Sequence, residues 1–206
     1  MSSSRIPVPI AGLAALALAL TACATDDPGA DSADSADSVM VANAQPTLVL
    51  VESDGESTFQ EDTEVARGAV EVPYQPTAVV TFDIATLDTL DAIGAGDTVV
   101  GIPEIPLPDY LSQYADLPKV GTLFEPDYEA VAELDPDLIV TAARSTGAYD
   151  ELAEISTTID LTAAFAGKFD PTAGLERAEQ LGEIFGAEDA VAEAAERINA
   201  LEADIE

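Results

Sequence analysis

Residues 78–83 read Ala78-Val79-Val80-Thr81-Phe82-Asp83, lead directly into Ile84-Ala85-Thr86-Leu87-Asp88-Thr89-Leu90-Asp91-Ala92-Ile93, and decide the fold. The first five residues form a short apolar run, which is typical of a buried strand. The ten residues after Asp83 favour a helix, and Gly94 fits the end of that helix. A buried strand followed at once by a helix predicts one unit of a parallel α/β sheet.

The same alternation continues along the chain. Further strands are predicted at residues 98–102, 138–141 and 158–161, and further helices at residues 110–114, 127–134 and 147–155. Strands that alternate with helices at this spacing favour a parallel sheet with right-handed crossovers. We therefore predict an α/β fold, with an N-terminal lobe over residues 47–168.

Two stretches before the first sheet strand also have strand-like composition. Residues 47–52 and 68–72 are rich in valine and are separated by a polar segment. We predict that these two stretches pair with each other as an N-terminal edge hairpin.

Residues 169–206 are predicted to be helical. Asp170-Pro171 places a capping acid before a proline at the first helical position, and Gly186 fits the break after that helix. From Ala187 onward, apolar residues recur at spacings of three and four, which predicts a long amphipathic helix. No stop signal stands near Glu206, so we expect the sequence to end inside this helix.

The N-terminus carries the pattern of an export signal. Arg5 precedes an apolar run at residues 10–20, which is too short for a membrane span, and Leu20-Thr21-Ala22-Cys23 follows. A small residue directly before cysteine resembles the bacterial lipobox, in which the cysteine is lipidated. We predict a signal peptide over residues 1–22, a lipidated Cys23 and an acidic flexible tether over residues 23–46, with an ordinary signal peptide as the alternative. This arrangement indicates a protein held by its lipid at the extracytoplasmic face of the cell membrane.

The charge of the chain is strongly negative. Acidic residues outnumber basic residues by 40 to 7, for a net charge of −33. Nucleic acid is excluded as a partner on this ground, because phosphate binding requires a basic patch. Two explanations of the acidity remain, namely cation capture and adaptation to high external salt, in which charge repulsion is screened. The spread of the acids over every segment favours the second explanation.

The sequence offers little for catalysis. It contains no histidine and no cysteine besides Cys23, which excludes a nucleophilic triad. Gly94-Ala95-Gly96 precedes a strand and therefore does not fit a dinucleotide-binding loop. Paired carboxylates for glycoside hydrolysis stay open, although no tryptophan is available to stack on a sugar. We predict a protein with no catalytic residues, no metal site and no cofactor.

Three residues are candidates for binding. Arg144 follows the strand at residues 138–141 and should project from the carboxyl edge of the sheet, where open α/β folds bind ligands; a surface ion pair is the alternative. Asp83 ends the first strand at the same edge, although capping the next helix is the favoured role. Glu129 should face outward in the first turn of its helix, where the helix dipole alone accounts for an acid.

Several segments together resemble one protein family. They are residues 78–83, Leu87-Asp88-Thr89-Leu90-Asp91-Ala92-Ile93-Gly94, Val99-Val100-Gly101-Ile102-Pro103, Leu107-Pro108-Asp109-Tyr110-Leu111, Val120-Gly121-Thr122-Leu123-Phe124-Glu125-Pro126-Asp127-Tyr128-Glu129 and Leu134-Asp135-Pro136-Asp137-Leu138-Ile139-Val140. In this order they closely resemble the ferric-siderophore and cobalamin class of substrate-binding proteins of ABC importers. The most similar branch is the Gram-positive lipoproteins for catecholate-type siderophores such as petrobactin.

The resemblance implies a fold and a set of roles. Members of this class have two lobes joined by a long helix, and they hold the ligand between the lobes without performing chemistry. Arg144 matches an arginine of the first lobe that contacts the anionic iron-ligating groups, and Glu129 matches a glutamate that docks on arginines of the permease. Asp83, which ends the strand one unit earlier at the same edge, is the second predicted ligand-binding residue. The implied partners are a ferric siderophore, the ABC permease and, through acylated Cys23, the lipid bilayer.

This sequence departs from the family pattern at two points. Glu104 stands where catecholate binders often carry a basic residue, and the second lobe expected beyond the connecting helix is not in the 206 residues. We therefore predict a lipid-anchored, ferric-siderophore-binding component of an ABC importer, present as its N-terminal part. The alternative is a membrane-tethered acidic interaction module, or a fragment without transport function.

Overall fold

The computed structural model describes residues 37–44, 47–53, 56–62, 67–163 and 171–205. The predicted signal peptide, Cys23, the tether up to residue 36 and the capping residue Asp170 lie outside the described residues. The strands are β1 (Ser38–Ala42), β2 (Thr47–Ser53), β3 (Glu56–Asp62), β4 (Ala69–Pro73), β5 (Val79–Thr81), β6 (Val99–Gly101), β7 (Leu138–Thr141) and β8 (Thr158–Asp160). The α-helices are α1 (Ile84–Ala92), α2 (Tyr128–Glu133), α3 (Tyr149–Ala153), α4 (Pro171–Phe185) and α5 (Glu188–Ile205), and 3-10 helices cover residues 96–98, 109–114 and 143–148.

The centre of the fold is a parallel sheet with strand order β6-β5-β7-β8. β5 pairs in parallel with both β6 and β7, and β7 pairs in parallel with β8. A parallel bridge between Ile102 and Lys119 adds a short extension beside β6. The predicted α/β class and the predicted parallel sheet are confirmed.

Helices cover both faces of this sheet because successive strand residues point to opposite sides. Val79 and Leu138 pack in one apolar cluster with residues of α1 and α4. Their neighbours Val80 and Ile139 pack in a second cluster with residues of α2 and α3. Each fully buried aliphatic side chain contributes about 1.5–3 kcal/mol of transfer free energy, so the two clusters fix the strand ends in space.

The predicted hairpin between residues 47–52 and 68–72 is wrong. β2 pairs antiparallel with β3, with Ser53 opposite Glu56, so the polar segment that was expected to be a turn is itself a strand. Backbone hydrogen bonds do not depend on side-chain polarity, and Asp54-Gly55 is a strong sequence signal for a two-residue hairpin connection.

The predicted tether is also wrong at its C-terminal part. Residues 38–42 form β1, which pairs antiparallel with β4. Val41 of β1 and Val72 of β4 are buried in the cluster that includes α4. Alternating valines gave this short segment an apolar face, and burial of that face holds it against the domain.

The C-terminal helices follow the prediction. Gly186 has a φ of +65° and separates α4 from α5, which is the left-handed conformation expected after a helix. Val191 is buried and Ile198 is partly exposed, at 37%. Among the described helices, none combines the length and the apolar character that a bilayer span requires.

Candidate functional site

The candidate site is the carboxyl edge, which we define as the ends of β5 to β8 and the residues that follow each strand. Asp83 follows β5, Glu104 follows β6, Arg144 follows β7 and Thr162 follows β8. All four strands run in the same direction, so these residues lie at the same end of the sheet, where the strands terminate. Edges of this kind bind ligands in open α/β folds.

Arg144 is the exposed cation of the carboxyl edge. It lies in the 3-10 helix at residues 143–148, directly after β7. Within the part of the chain that the structure describes, its guanidinium forms no ion pair, so the predicted alternative of a surface salt bridge is not seen there. An exposed guanidinium without an internal counterion can donate several hydrogen bonds to an anionic ligand.

Asp83 caps helix α1. Its Oδ2 atom accepts hydrogen bonds from the backbone nitrogen and the hydroxyl of Thr86, both at 2.8 Å. This is the capping role that the sequence favoured, and it satisfies backbone donors at the start of α1. A contact between Asp83 and a ligand stays a prediction.

Arg177 is a second cation at the carboxyl edge, and the sequence reasoning missed it. Its Nη1 atom lies 3.7 Å from Oδ2 of Asp83 and donates to the carbonyl oxygen of Leu161 at 3.4 Å. The side chain is 25% exposed. Arginine is scarce in this acidic chain, and that scarcity could have marked Arg177 as a candidate binding residue. Helical spacing alone could not show that α4 brings Arg177 to the ends of β5 and β8.

A cavity of ≈ 400 Å³ adjoins Arg177 at the end of β8. Its lining residues include Asn43, Thr162, Arg177 and Gln180, together with the acidic residues Asp160, Glu176, Glu179 and Glu183. The lining therefore carries both charges and many hydrogen-bonding groups. Among the described residues, no cluster of three or more acidic or cysteine side chains that could hold a metal ion is found.

Several polar groups meet in the interior of the domain, namely those of Tyr149, Asn43, Thr158 and Arg67. The hydroxyl of Tyr149 donates to the carbonyl oxygen of Thr158 at 2.9 Å and accepts from Nδ2 of Asn43 at 3.1 Å. Burial raises the pKa of Tyr149, so the ring stays neutral, and the guanidinium carbon of Arg67 lies 4.1 Å from its centroid. These contacts could not be predicted from the sequence, because the residues that make them come from distant parts of the chain.

Glu129 lies outside the carboxyl edge, on the first turn of α2. Its side chain is exposed, as predicted, while Val131 of the same helix is buried. Asp127 caps the helix by accepting a hydrogen bond from the backbone nitrogen of Ala130 at 3.1 Å. The helix therefore presents Glu129 to solvent, and its docking role stays a prediction.

Glu104 is also exposed, and its backbone nitrogen donates to the carbonyl oxygen of Gly121 at 2.7 Å. This bond ties the segment after β6 to the turn that precedes α2. The carboxyl edge thus carries an acidic residue after β6 and a basic residue after β7.

Comparison with known proteins gives consistent matches. A family model described as periplasmic binding protein matches residues 79–206. Petrobactin-binding protein YclQ of Bacillus subtilis is 40% identical over 162 residues, which cover 74% of this chain and 50% of YclQ. The Fe(3+)-citrate-binding protein YfmC of the same organism is 33% identical over 99 residues, which cover 46% of this chain and 31% of YfmC.

Solved structures match in the same way. The crystal structure of YclQ superposes with a TM-score of 0.64 and 37% identity, covering 77% of this chain and 52% of YclQ. The catecholate-siderophore-binding protein VctP of Vibrio cholerae superposes with a TM-score of 0.59 and 31% identity, covering 74% of this chain and 50% of VctP. This chain spans half or less of the length of the curated relatives it matches.

Proposed function

Because this chain belongs to the periplasmic binding protein family, whose model its residues 79–206 match, we propose that it binds a ferric siderophore for an ABC importer. The relatives support this ligand class, since one is named for petrobactin and a structural neighbour at 31% identity for catecholate siderophores. The family consists of binding proteins, so the proposed activity is reversible capture and release without a chemical step. The ligand we propose is of the catecholate type.

The observation that carries the proposal is the exposed guanidinium of Arg144 at the carboxyl edge, which forms no ion pair among the described residues. Ferric catecholates are anionic, because their phenolate oxygens outweigh the charge of Fe³⁺. A guanidinium that donates to such oxygens forms charge-assisted hydrogen bonds, which are about twice as strong as neutral ones. Arg177 also reaches this edge, where its charge is paired with Asp83 at 3.7 Å.

Ligand binding is tested by quenching of tyrosine fluorescence, because the chain has 5 tyrosines and no tryptophan. We expect saturable quenching by ferric catecholates, weaker quenching by ferric hydroxamates and ferric citrate, and none by iron-free siderophore. Free N-acetyltyrosinamide, titrated in parallel, corrects for absorption by the ligand. If no ferric siderophore quenches the protein beyond that control, the proposal is wrong.

Delivery to a membrane permease is the second part of the proposal. We propose that a lipid on Cys23 holds the chain at the extracytoplasmic face of the membrane, and that exposed Glu129 docks on basic residues of the permease. The strongly negative charge supports a lipid anchor, because anionic membrane surfaces repel such a domain.

Uptake of radioactive iron in cells tests the role of Glu129, and cell fractionation tests the role of Cys23. Glu129→Ala is expected to keep ligand affinity and lower uptake, whereas Glu133→Ala, an exposed acid on the same helix, should leave uptake unchanged. Cys23→Ala is expected to move the protein from the membrane fraction to the soluble fraction. Unchanged uptake in Glu129→Ala, or membrane retention of Cys23→Ala, would contradict the corresponding role.

A further inference from the structure

The backbone directly before Arg144 has an unusual conformation. Ala143 has a φ of +47°, in the left-handed region that residues with a Cβ atom avoid. Such a conformation persists only where surrounding contacts hold it. The backbone nitrogen of Ala143 donates a hydrogen bond to Oγ1 of Thr162 at 2.7 Å, and this bond joins the segment after β7 to the segment after β8.

Asp160 determines the direction of the Thr162 hydroxyl. Thr162 donates to Oδ1 of Asp160 through its hydroxyl at 2.5 Å and through its backbone nitrogen at 2.9 Å. A hydroxyl has a single proton, so once that proton is given to Asp160 the oxygen can only accept from Ala143. The carboxylate thereby orients the acceptor that holds Ala143.

Arg67 connects the same carboxylate to the far side of the Arg144 segment. Its Nη1 atom donates to Oδ2 of Asp160 at 3.0 Å and to Oγ1 of Thr146 at 3.2 Å, and its Nη2 atom donates to the carbonyl oxygen of Thr146 at 3.1 Å. The side chains of Arg67 and Asp160 are only 9% and 2% exposed. One buried ion pair therefore contacts Thr146 directly and Ala143 through Thr162.

We infer that Arg67, Asp160 and Thr162 are positioning residues that hold residues 143–146 in the conformation that presents Arg144 at the carboxyl edge. The network binds residues on both sides of Arg144, while the Arg144 side chain is exposed. The backbone therefore fixes the point at the carboxyl edge from which the Arg144 side chain extends. A preorganised segment loses less conformational freedom when a ligand binds, which raises affinity; this effect on affinity rests on the proposed function.

Amide hydrogen exchange, followed by NMR on the full chain without ligand, tests the backbone part. Thr162→Val removes the hydroxyl at nearly constant shape, and Thr162→Ser is the matched control that keeps it. We expect the Ala143 amide to exchange at least about tenfold faster in Thr162→Val and at the parental rate in Thr162→Ser, with Ile139 and Val140 of β7 unchanged. Thr162→Ala replaces the valine variant if that variant does not fold.

Two results would overturn the backbone part. One is an Ala143 amide that exchanges at the parental rate without the hydroxyl. The other is an equal acceleration at Ala143, Ile139 and Val140, which would show that Thr162 only stabilises the fold as a whole.

A double-mutant cycle with a ferric catecholate tests the effect on the ligand. Thr162→Val is expected to weaken binding about three- to tenfold when Arg144 is present, and less than about twofold when Arg144 is alanine. Equal losses in both backgrounds would show that Thr162 does not act through Arg144. If the parental chain binds no ferric siderophore, the proposed function fails, and the exchange rates still decide whether the network holds the segment.

Discussion

Replacing Arg144 with alanine is expected to weaken ferric-catecholate binding by about 30-fold or more, without lowering stability. Loss of a charged hydrogen-bonding partner from a desolvated contact costs about 2 kcal/mol or more, which corresponds to that factor. Within the described residues the Arg144 guanidinium has no ion pair to lose, so the free energy of unfolding should change by less than about 0.5 kcal/mol. Fluorescence titration and urea denaturation of the same samples measure the two quantities.

Two control variants separate the effect of positive charge from the effect of guanidinium geometry and position. Arg144→Lys keeps the positive charge but loses the planar fork, so its affinity should lie between those of the parent and the alanine variant. Arg197→Ala removes an equal charge from α5, which packs on α4, and should bind as the parent does. If Arg144→Ala and Arg197→Ala reduce affinity equally, only net charge matters, and Arg144 is not part of the site.

The central sheet could be predicted from the sequence because its strands are buried on both faces. β5 and β7 consist almost entirely of apolar residues, and every residue of both strands is buried. Such runs are recognisable without knowledge of the partner strand. The position of Arg144 followed from the end of β7, because a residue after a parallel strand must lie at the carboxyl edge.

The antiparallel pairs could not be predicted so well, because backbone pairing between strands does not require an apolar side-chain pattern. β3 is polar except for Phe59, which does not predict a strand, although it pairs with β2 in a continuous register from Thr47 to Ser53. The acidic residues that precede β1 favour a tether at this position. Its two valines, Val39 and Val41, form too short an alternating pattern to predict a strand next to this acidic stretch.

The buried cation of the fold also could not be predicted from the sequence. Arg67 lies in a polar stretch before β4, and its contacts include Asp160, Thr146 and Tyr149, more than 75 positions further along the chain. Nothing in local spacing indicates such contacts. Arg177 is similar, since its position beside Asp83 depends on how α4 packs on the sheet.

Replacing Arg67 with methionine is expected to destabilise the protein by about 3–5 kcal/mol. Removing one partner of a buried ion pair leaves the other charge without compensation, and here that charge is the carboxylate of Asp160, which is 2% exposed. Methionine keeps an apolar stem against Tyr149 but also loses the hydrogen bonds to Thr146, so the measured loss combines those bonds with the unpaired charge. In urea denaturation, this destabilisation lowers the urea concentration at the unfolding midpoint and leaves the m-value unchanged.

The matched control is Arg177→Met, which breaks the longer and more exposed ion pair with Asp83. Asp83 is 17% exposed and keeps its two hydrogen bonds from Thr86, so this change should cost less than about 1 kcal/mol. Adding Asp160→Asn to Arg67→Met should recover part of the lost stability, because the buried carboxylate is then neutral and its amide oxygen can still accept from Thr162. Equal costs for the two arginine variants, or a further loss on adding Asp160→Asn, would mean that the unpaired buried charge is not the source of the destabilisation.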